Sequence, residues 1–278
     1  MTQANTRGRA ICAGLACLAL AGCSGGNEEV SLETLSAEQI YALAESELER
    51  GRVEDAAEYF GEVERLYPYS DWAKRALIMQ AFVYHQDEDY EESRASAQRY
   101  IEFYPADEDA AYAQYLLALS YYDQIDEIGR DQGITLQALQ ELRVVIERYP
   151  ESEWARSSTL KFDLAFDHLA GKEMEVGRYY LKRQHHAAAI NRFRAVVENY
   201  QTTSHAPEAL YRLVEAYLIL GLEDEAQTAG AILGHNFRSS VWYSDAYALL
   251  TGNGLRAEVS GDGWLRSIYR QTVRGEWL

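Results

Sequence analysis

The stretch Tyr67-Pro68-Tyr69-Ser70-Asp71-Trp72-Ala73 returns later in the chain as Tyr149-Pro150-Glu151-Ser152-Glu153-Trp154-Ala155. A weaker copy is Tyr104-Pro105-Ala106-Asp107-Glu108-Asp109-Ala110. Tyr200 and Phe237 open two more, the second with Ser240 and Trp242. The openings are spaced by 37, 45, 51 and 37 residues. Each junction has one physical job. The aromatic ends a helix against its neighbours, proline stops that helix, and a polar residue caps the next. A recurring period of this length marks a stacked-repeat fold.

Between junctions the pattern is that of a tetratricopeptide helix pair. The first pair shows Ile40, Leu43, Ala44, Gly51, Ala56 and Phe60 ahead of Pro68. The second offers Leu77, Ala81, Tyr84 and Tyr100, and the fifth Leu210, Leu213, Tyr217, Gly221 and Ala226. Small residues let two helices approach, and large ones fill the space between pairs. One pair cannot bury its apolar face, but five stacked pairs can. The fold class is therefore all-α, a solenoid of five tetratricopeptide helix pairs over residues 36–251. No segment shows the alternating pattern of a strand.

Two insertions break the period of 37. Eight extra residues fall in the third repeat, around 123–133, and read as a loop. Its Arg130 and Asp131 suit either a partner contact or a local ion pair that shapes the turn. Fourteen extra residues fall in the fourth repeat. They make about four helical turns, so the helix keeps its phase. The first helix of repeat four then runs about 29 residues, or roughly 43 Å, with Gly171 as the point where it can bend.

The region 155–200 reads as that long helix, a tight turn at Gln184–His186 and a second helix. Leu160, Leu164, Leu169, Val176, Tyr179 and Tyr180 lie at helical spacing in the first. Ala189, Ile190, Phe193, Val196 and Val197 do so in the second. Lys172, Arg178, Lys182, Arg183, Arg192 and Arg194 crowd into the same region. The chain as a whole carries a formal charge of −18, so a dense basic segment is a place to dock something.

The first 22 residues stand apart. Arg7 and Arg9 precede the short apolar run 10–21, then Leu20-Ala21-Gly22-Cys23. The run is too short to span a bilayer and reads as a signal peptide. The tetrapeptide resembles the lipobox of bacterial lipoproteins. That resemblance implies cleavage before Cys23 and lipidation of its thiol and new amino terminus, with Ser24 favouring the outer membrane. Residues 23–35 are expected to be a lipidated N-terminus and flexible tether.

Loss of residues 1–22 removes two arginines, Cys12 and Cys17, and no acid, leaving a formal charge of −20. Nucleic acid and anionic lipid are poor partners for such a surface. The mature chain keeps one cysteine, so it forms no internal disulfide. No catalytic arrangement, phosphate loop or HExxH motif occurs, and the adjacent pair His185-His186 points about 100° apart on a helix, a poor metal pair. His168 reads as a helix-face residue. No enzyme activity, cofactor or metal is expected.

Several segments resemble the BamD family, the tetratricopeptide lipoproteins of the outer-membrane β-barrel assembly machinery, in their α-proteobacterial form. They are Glu64-Arg65-Leu66-Tyr67-Pro68-Tyr69-Ser70, Gly129-Arg130-Asp131-Gln132, Asp167-His168-Leu169-Ala170-Gly171-Lys172-Glu173, and Gly177-Arg178-Tyr179-Tyr180 with Ala189-Ile190-Asn191-Arg192-Phe193. The resemblance covers roughly residues 30–251. It implies a non-enzymatic scaffold, lipid-anchored through Cys23 on the periplasmic face of the outer membrane. Its implied partners are the POTRA domains of the barrel subunit BamA, unfolded outer-membrane β-barrel proteins and other Bam lipoproteins. Arg178, Arg183, Asn191 and Arg192 are the expected partner-binding residues. A different reading is an envelope lipoprotein that binds peptidoglycan or division proteins.

Aligning the repeats places Tyr41, Glu45, Ile78, Phe82, His85, Tyr112, Tyr115 and Leu119 on the concave face lined by the first helix of each pair. Such an aromatic, mildly acidic groove suits an extended peptide ending in an aromatic residue. Beyond it, residues 252–278 make a Gly-rich link and a tail. Trp264 with Ile268, and Leu265 with Tyr269, stand at i,i+4 spacing, so a transient amphipathic helix in a partly disordered tail is expected.

Overall fold

The computed structural model describes residues 31–274. The expected signal peptide, Cys23 and residues 275–278 lie outside the described residues. Among the described residues there are twelve α-helices and no strand. They are α1 (Ala37–Glu49), α2 (Val53–Leu66), α3 (Asp71–Gln86), α4 (Tyr90–Phe103), α5 (Ala110–Tyr122), α6 (Gly133–Arg148), α7 (Glu153–Lys182), α8 (His186–Asn199), α9 (Ala206–Ile219), α10 (Glu223–Asn236), α11 (Val241–Gly252) and α12 (Trp264–Arg274). The helices α1 to α10 form five successive pairs, each packed on the next.

The recurring junctions have one geometry. Tyr67, Tyr104, Tyr149, Tyr200 and Phe237 each close a second helix with φ between −134° and −127° and ψ between 40° and 53°. Three residues on, the N–H of Ser70, Asp107, Ser152, Thr203 or Ser240 donates back to that aromatic's carbonyl. Ser70, Ser152 and Ser240 then cap the next helix by accepting from Ala73, Ala155 and Tyr243 N–H, which satisfies a backbone donor the helix itself cannot. The junction tryptophans lean on tyrosines of the preceding first helix. Trp72 lies 5.0 Å from Tyr41, Trp154 lies 4.6 Å from Tyr112 and 5.1 Å from Tyr115, and Trp242 lies 5.5 Å from Tyr211.

The turn inside a pair also repeats. Gly51, Glu88, Gln184 and Gly221 take left-handed conformations, with φ of 74°, 63°, 62° and 73°. The next residue's N–H reaches the carbonyl five residues back, as from Arg52 to Glu47 and from His185 to Tyr180. This closes the helix end as a Schellman motif.

Helix α7 is 30 residues long, about 45 Å, and runs through Gly171 without interruption. Gly171 has a packing role. A Cβ there would lie 3.1 Å from Ile128 Cδ1 and 3.2 Å from His205 Nε2, so the glycine is a notch that admits the 123–132 loop and the α8–α9 junction. Lys172 Nζ donates to Gly129 O at 2.6 Å, and Arg130 pairs with Asp126 at 3.2 Å. The local ion pair expected as one reading of the loop is present, though with Asp126 and not Asp131.

The helix joins two cores. Ala165 and Leu169 pack with Leu139 and Phe162 on the N-terminal side. Ala170 and Met174 pack with Phe193, Leu210 and Leu213 on the C-terminal side. Leu160 and Leu164, expected in the apolar stripe, are 67% and 63% exposed.

Both ends of the solenoid are more ordered than expected. Leu32–Thr34 forms a 3-10 turn, Leu32 and Leu35 pack on the first core, and Tyr67 OH donates to Leu35 O. Residues 32–35, expected in the tether, are therefore part of the fold, because these leucines cover α1 and α2. At the other end α12 folds back onto α10, with Leu265 and Ile268 buried in the C-terminal core. Trp264 Nε1 donates to Tyr217 OH at 3.0 Å, and Thr228 and Ser260 exchange hydrogen bonds across the link. Among the described residues of the tail, Trp264–Arg274 is thus a docked helix and not a transient one. Its i,i+4 apolar pairs find a ready groove on the last repeat.

Candidate functional site

Two surfaces were expected from sequence, and the structure treats them differently. On the groove, Tyr41, Ile78 and Tyr115 are each only 8% exposed. Tyr41 is held between Phe60 and Trp72, and Tyr115 stacks on Trp154. They are packing residues, because the tryptophan of the following junction needs an aromatic floor. Phe82, Tyr112 and Leu119 are half-buried, and burial pushes the Tyr112 phenol up to about 12, with the Tyr115 hydroxyl adding to it. Glu45 is exposed. His85 faces Asp123, with Nε2 3.1 Å from Oδ2.

The basic residues between 172 and 194 do not gather into one patch. Lys172 reaches the loop carbonyl of Gly129. Arg178 Nη1 pairs with Glu208 of α9 at 3.0 Å. Arg183 lies over the Tyr179 ring at 4.8 Å. Arg192 Nη1 crosses from α8 to Glu173 of α7 at 3.1 Å. Arg194 pairs with Glu198 at 2.8 Å and lies 4.6 Å from the Trp264 ring. Glu173 and Arg178, five residues apart on α7, project about 140° from one another. Arg178 and Arg192 thus belong to different sides of that helix.

What remains is the outward face of α8, with Asn191 and Arg192 exposed and Arg183 exposed beside it at the end of α7. The face is held rigidly. Gly177 of α7 meets the buried Phe193 ring so closely that the helices touch backbone to ring. Sequence reasoning missed Glu208 and Trp264 as groups that hold Arg178 and Arg194. Both lie on helices remote in sequence from the basic segment, α9 and α12.

Residues 33–232 match the family model described as YfiO, outer membrane lipoprotein. The chain belongs to that outer membrane lipoprotein family. Relatives named outer membrane protein assembly factor BamD include one from Caulobacter vibrioides, 47% identical over 251 residues, which cover 90% of this chain and 82% of that protein. Another, from Rickettsia prowazekii, is 45% identical over 203 residues, covering 73% and 81%. One from Neisseria meningitidis serogroup A is 29% identical over 222 residues, covering 76% and 83%. The resemblance read from the motifs is thereby shown, including its lean toward the α-proteobacterial form. Among solved structures, a thermophilic tetratricopeptide protein of Thermus thermophilus aligns with 76% of this chain and 98% of its own, at 18% identity and a TM-score of 0.36. The family match ends at residue 232, so α11 and α12 lie beyond it.

Among the described residues no group of three or more His, Cys, Asp or Glu can hold a metal. No helix there is long and apolar enough to cross a membrane.

Proposed function

We propose that this chain is the lipid-anchored scaffold of outer-membrane β-barrel assembly. In this reading lipid on Cys23 holds it at the periplasmic face. The outward face of α8 docks a POTRA domain of the barrel subunit BamA. The first helices of repeats one to three receive unfolded outer-membrane proteins, with Glu45, Phe82, His85, Tyr112 and Leu119 as the contact residues. Family membership and the relatives' shared name as assembly factors support the setting.

The observation that carries the docking surface is Arg192. It is an exposed arginine on α8, beside exposed Asn191, and its one ion-pair partner among the described residues is Glu173. Exposed pairs of this kind contribute at most about 1 kcal/mol, so a partner carboxylate can take the arginine over at little expense. The planar guanidinium then binds that carboxylate with two parallel hydrogen bonds. Arg183 adds a second exposed cation, at the end of α7. Arg178, turned toward α9, takes no part.

The test is a pull-down of BamA POTRA domains at physiological salt. Arg192→Ala should weaken capture at least tenfold with an unchanged melting curve, and Arg192→Glu should abolish it. A Glu→Arg change on the partner should restore part of the binding to Arg192→Glu. Normal capture by both variants sinks the assignment.

A further inference from the structure

Helix α7 carries an apolar ridge that the fold leaves uncovered. Leu160 and Leu164 stand one turn apart and are 67% and 63% exposed. The same helix buries Ala165, Leu169, Ala170 and Met174 on its other sides, so it had enough apolar residues to pack without them. Leu164 is a shared wall of two clefts. The one between the end of α5 and α7 measures about 440 Å³ and is bounded by Tyr122, Ile125, Asp123 and Asp126. The one between α7 and the α8–α9 junction measures about 650 Å³ and is bounded by Leu160, Phe166, Asp163 and Asp167.

The charge of these clefts is one-sided. Among the described residues four aspartates line them and no lysine or arginine does, Lys161 standing behind the first cleft with Nζ 4.9 Å over the Tyr122 ring. Three of the acids have partners: Asp123 faces His85, Asp126 pairs with Arg130, and Asp167 accepts from Ser204 and faces His205 Nε2 at 3.4 Å. Asp163 is exposed beside the leucines, with no hydrogen bond or ion pair among the described residues.

We infer that this ridge docks an extended polypeptide segment that presents apolar side chains next to lysine or arginine. Leucines left in water at the edge of a cleft mark contact surface. Alternate side chains of an extended segment point the same way, so one set can lie on the leucines while flanking residues meet the acids. The aspartates attract cations and repel acidic segments. Two other occupants fit worse. A second copy of this chain brings a formal charge of −18 against an acidic surface, and anionic lipid brings phosphates against four aspartates. The inference extends the polypeptide-receiving surface proposed above from α1–α5 to α7, and it rests on that reading only for the source of the segment.

The test uses the full mature protein in detergent and two fluorescent twelve-residue peptides, one alternating leucine with lysine and one alternating leucine with glutamate. The wild type should bind the lysine peptide at least tenfold more tightly than the glutamate peptide. Leu160→Ser with Leu164→Ser, which leaves every charge in place, should weaken the lysine peptide at least fivefold. Asp163→Lys should do the same. Both variants should melt as the wild type does and capture BamA POTRA domains normally, so a failure of the α8 docking surface is read separately. Unchanged affinity in the double leucine variant overturns the inference, as does equal binding of the two peptides. A wild-type dimer that the leucine changes dissolve, or vesicle flotation that they abolish, would assign the ridge to another copy or to lipid instead.

Discussion

Gly177 and Phe193 leave no room for a side-chain carbon between them: a Cβ at position 177 would lie 2.5 Å from Phe193 Cε1 and 2.9 Å from Cδ1 and Cζ. Phe193 is fully buried, so the ring cannot swing aside. Alanine normally stabilises a helix interior over glycine by about 1 kcal/mol. Here the order should reverse. Gly177→Ala is expected to lower stability by about 1–3 kcal/mol through overpacking, measured by urea denaturation. A stabilised variant would mean that α7 and α8 sit further apart.

A second prediction concerns the seam between repeats two and three. The buried Tyr100 hydroxyl donates to Asp107 Oδ1 at 2.6 Å, and Lys74 Nζ donates to Oδ2 at 2.6 Å. Burial works to raise the Asp107 pKa, but the hydrogen bonds from Lys74 and Tyr100 outweigh it and hold the carboxyl below the usual range. A depressed carboxylate stabilises the fold above its unfolded pKa of about 3.9, and that contribution disappears as pH falls through its folded value. Asp107→Asn should therefore cost about 1–2 kcal/mol at pH 7. The gap between variant and wild type should close below about pH 4. A gap that persists at low pH would point to packing and not charge.

Gln184 adopts φ 62° at a turn where the first and fifth pairs use Gly51 and Gly221. A side chain in this region costs about 1–2 kcal/mol. Gln184→Gly should raise stability by up to about 1 kcal/mol after the greater freedom of glycine in the unfolded chain is set against the relief. Calorimetry that shows a lower melting temperature would count against this.

The docked tail makes a fourth prediction. Leu265 is 1% exposed in the C-terminal core. Leu265→Ala should cost about 2 kcal/mol or more. It should also speed amide exchange in α12 well ahead of the other helices. Exchange in wild-type α12 as fast as in a free peptide would show that the helix is not held.

Lipidation supplies a fifth. Cys23→Ala should leave the protein as precursor or release it from the outer membrane, because buried acyl chains contribute about 0.8 kcal/mol per methylene. Fractionation with outer membrane by the variant, in cells without BamA, would rule out the lipid anchor.

The architecture was legible because its signals are local. Aromatic, proline and cap residues recur in a fixed order, and the length of the fourteen-residue insertion announces a long helix. The groove was only partly legible. Tyr41 and Tyr115 look like surface aromatics until Trp72 and Trp154 are seen to pack against them, though three junction tryptophans in one register were a signal for buried partners. Leu160 and Leu164 misled in the opposite direction, since helical spacing says which side chains share a face but not whether that face meets another helix. The arginines show the same limit. Their crowding in sequence was real, yet Arg178 and Arg192 are each claimed by an acid of another helix, while Arg183 lies over Tyr179 and Arg194 pairs with Glu198 close by in sequence.

One helix shared by two cores has a consequence for how the chain is made. A solenoid grows by nearest-neighbour stacking, so its early repeats can ordinarily settle while later ones are still emerging. In this chain the third pair has no finished wall until Ala165 and Leu169 are in place, and five residues further on Met174 already belongs to the other core. A chain emerging N-terminus first thus holds an unsealed edge beside Leu139 until most of α7 is out. Once α7 forms, closing the first half also sets the template for the second.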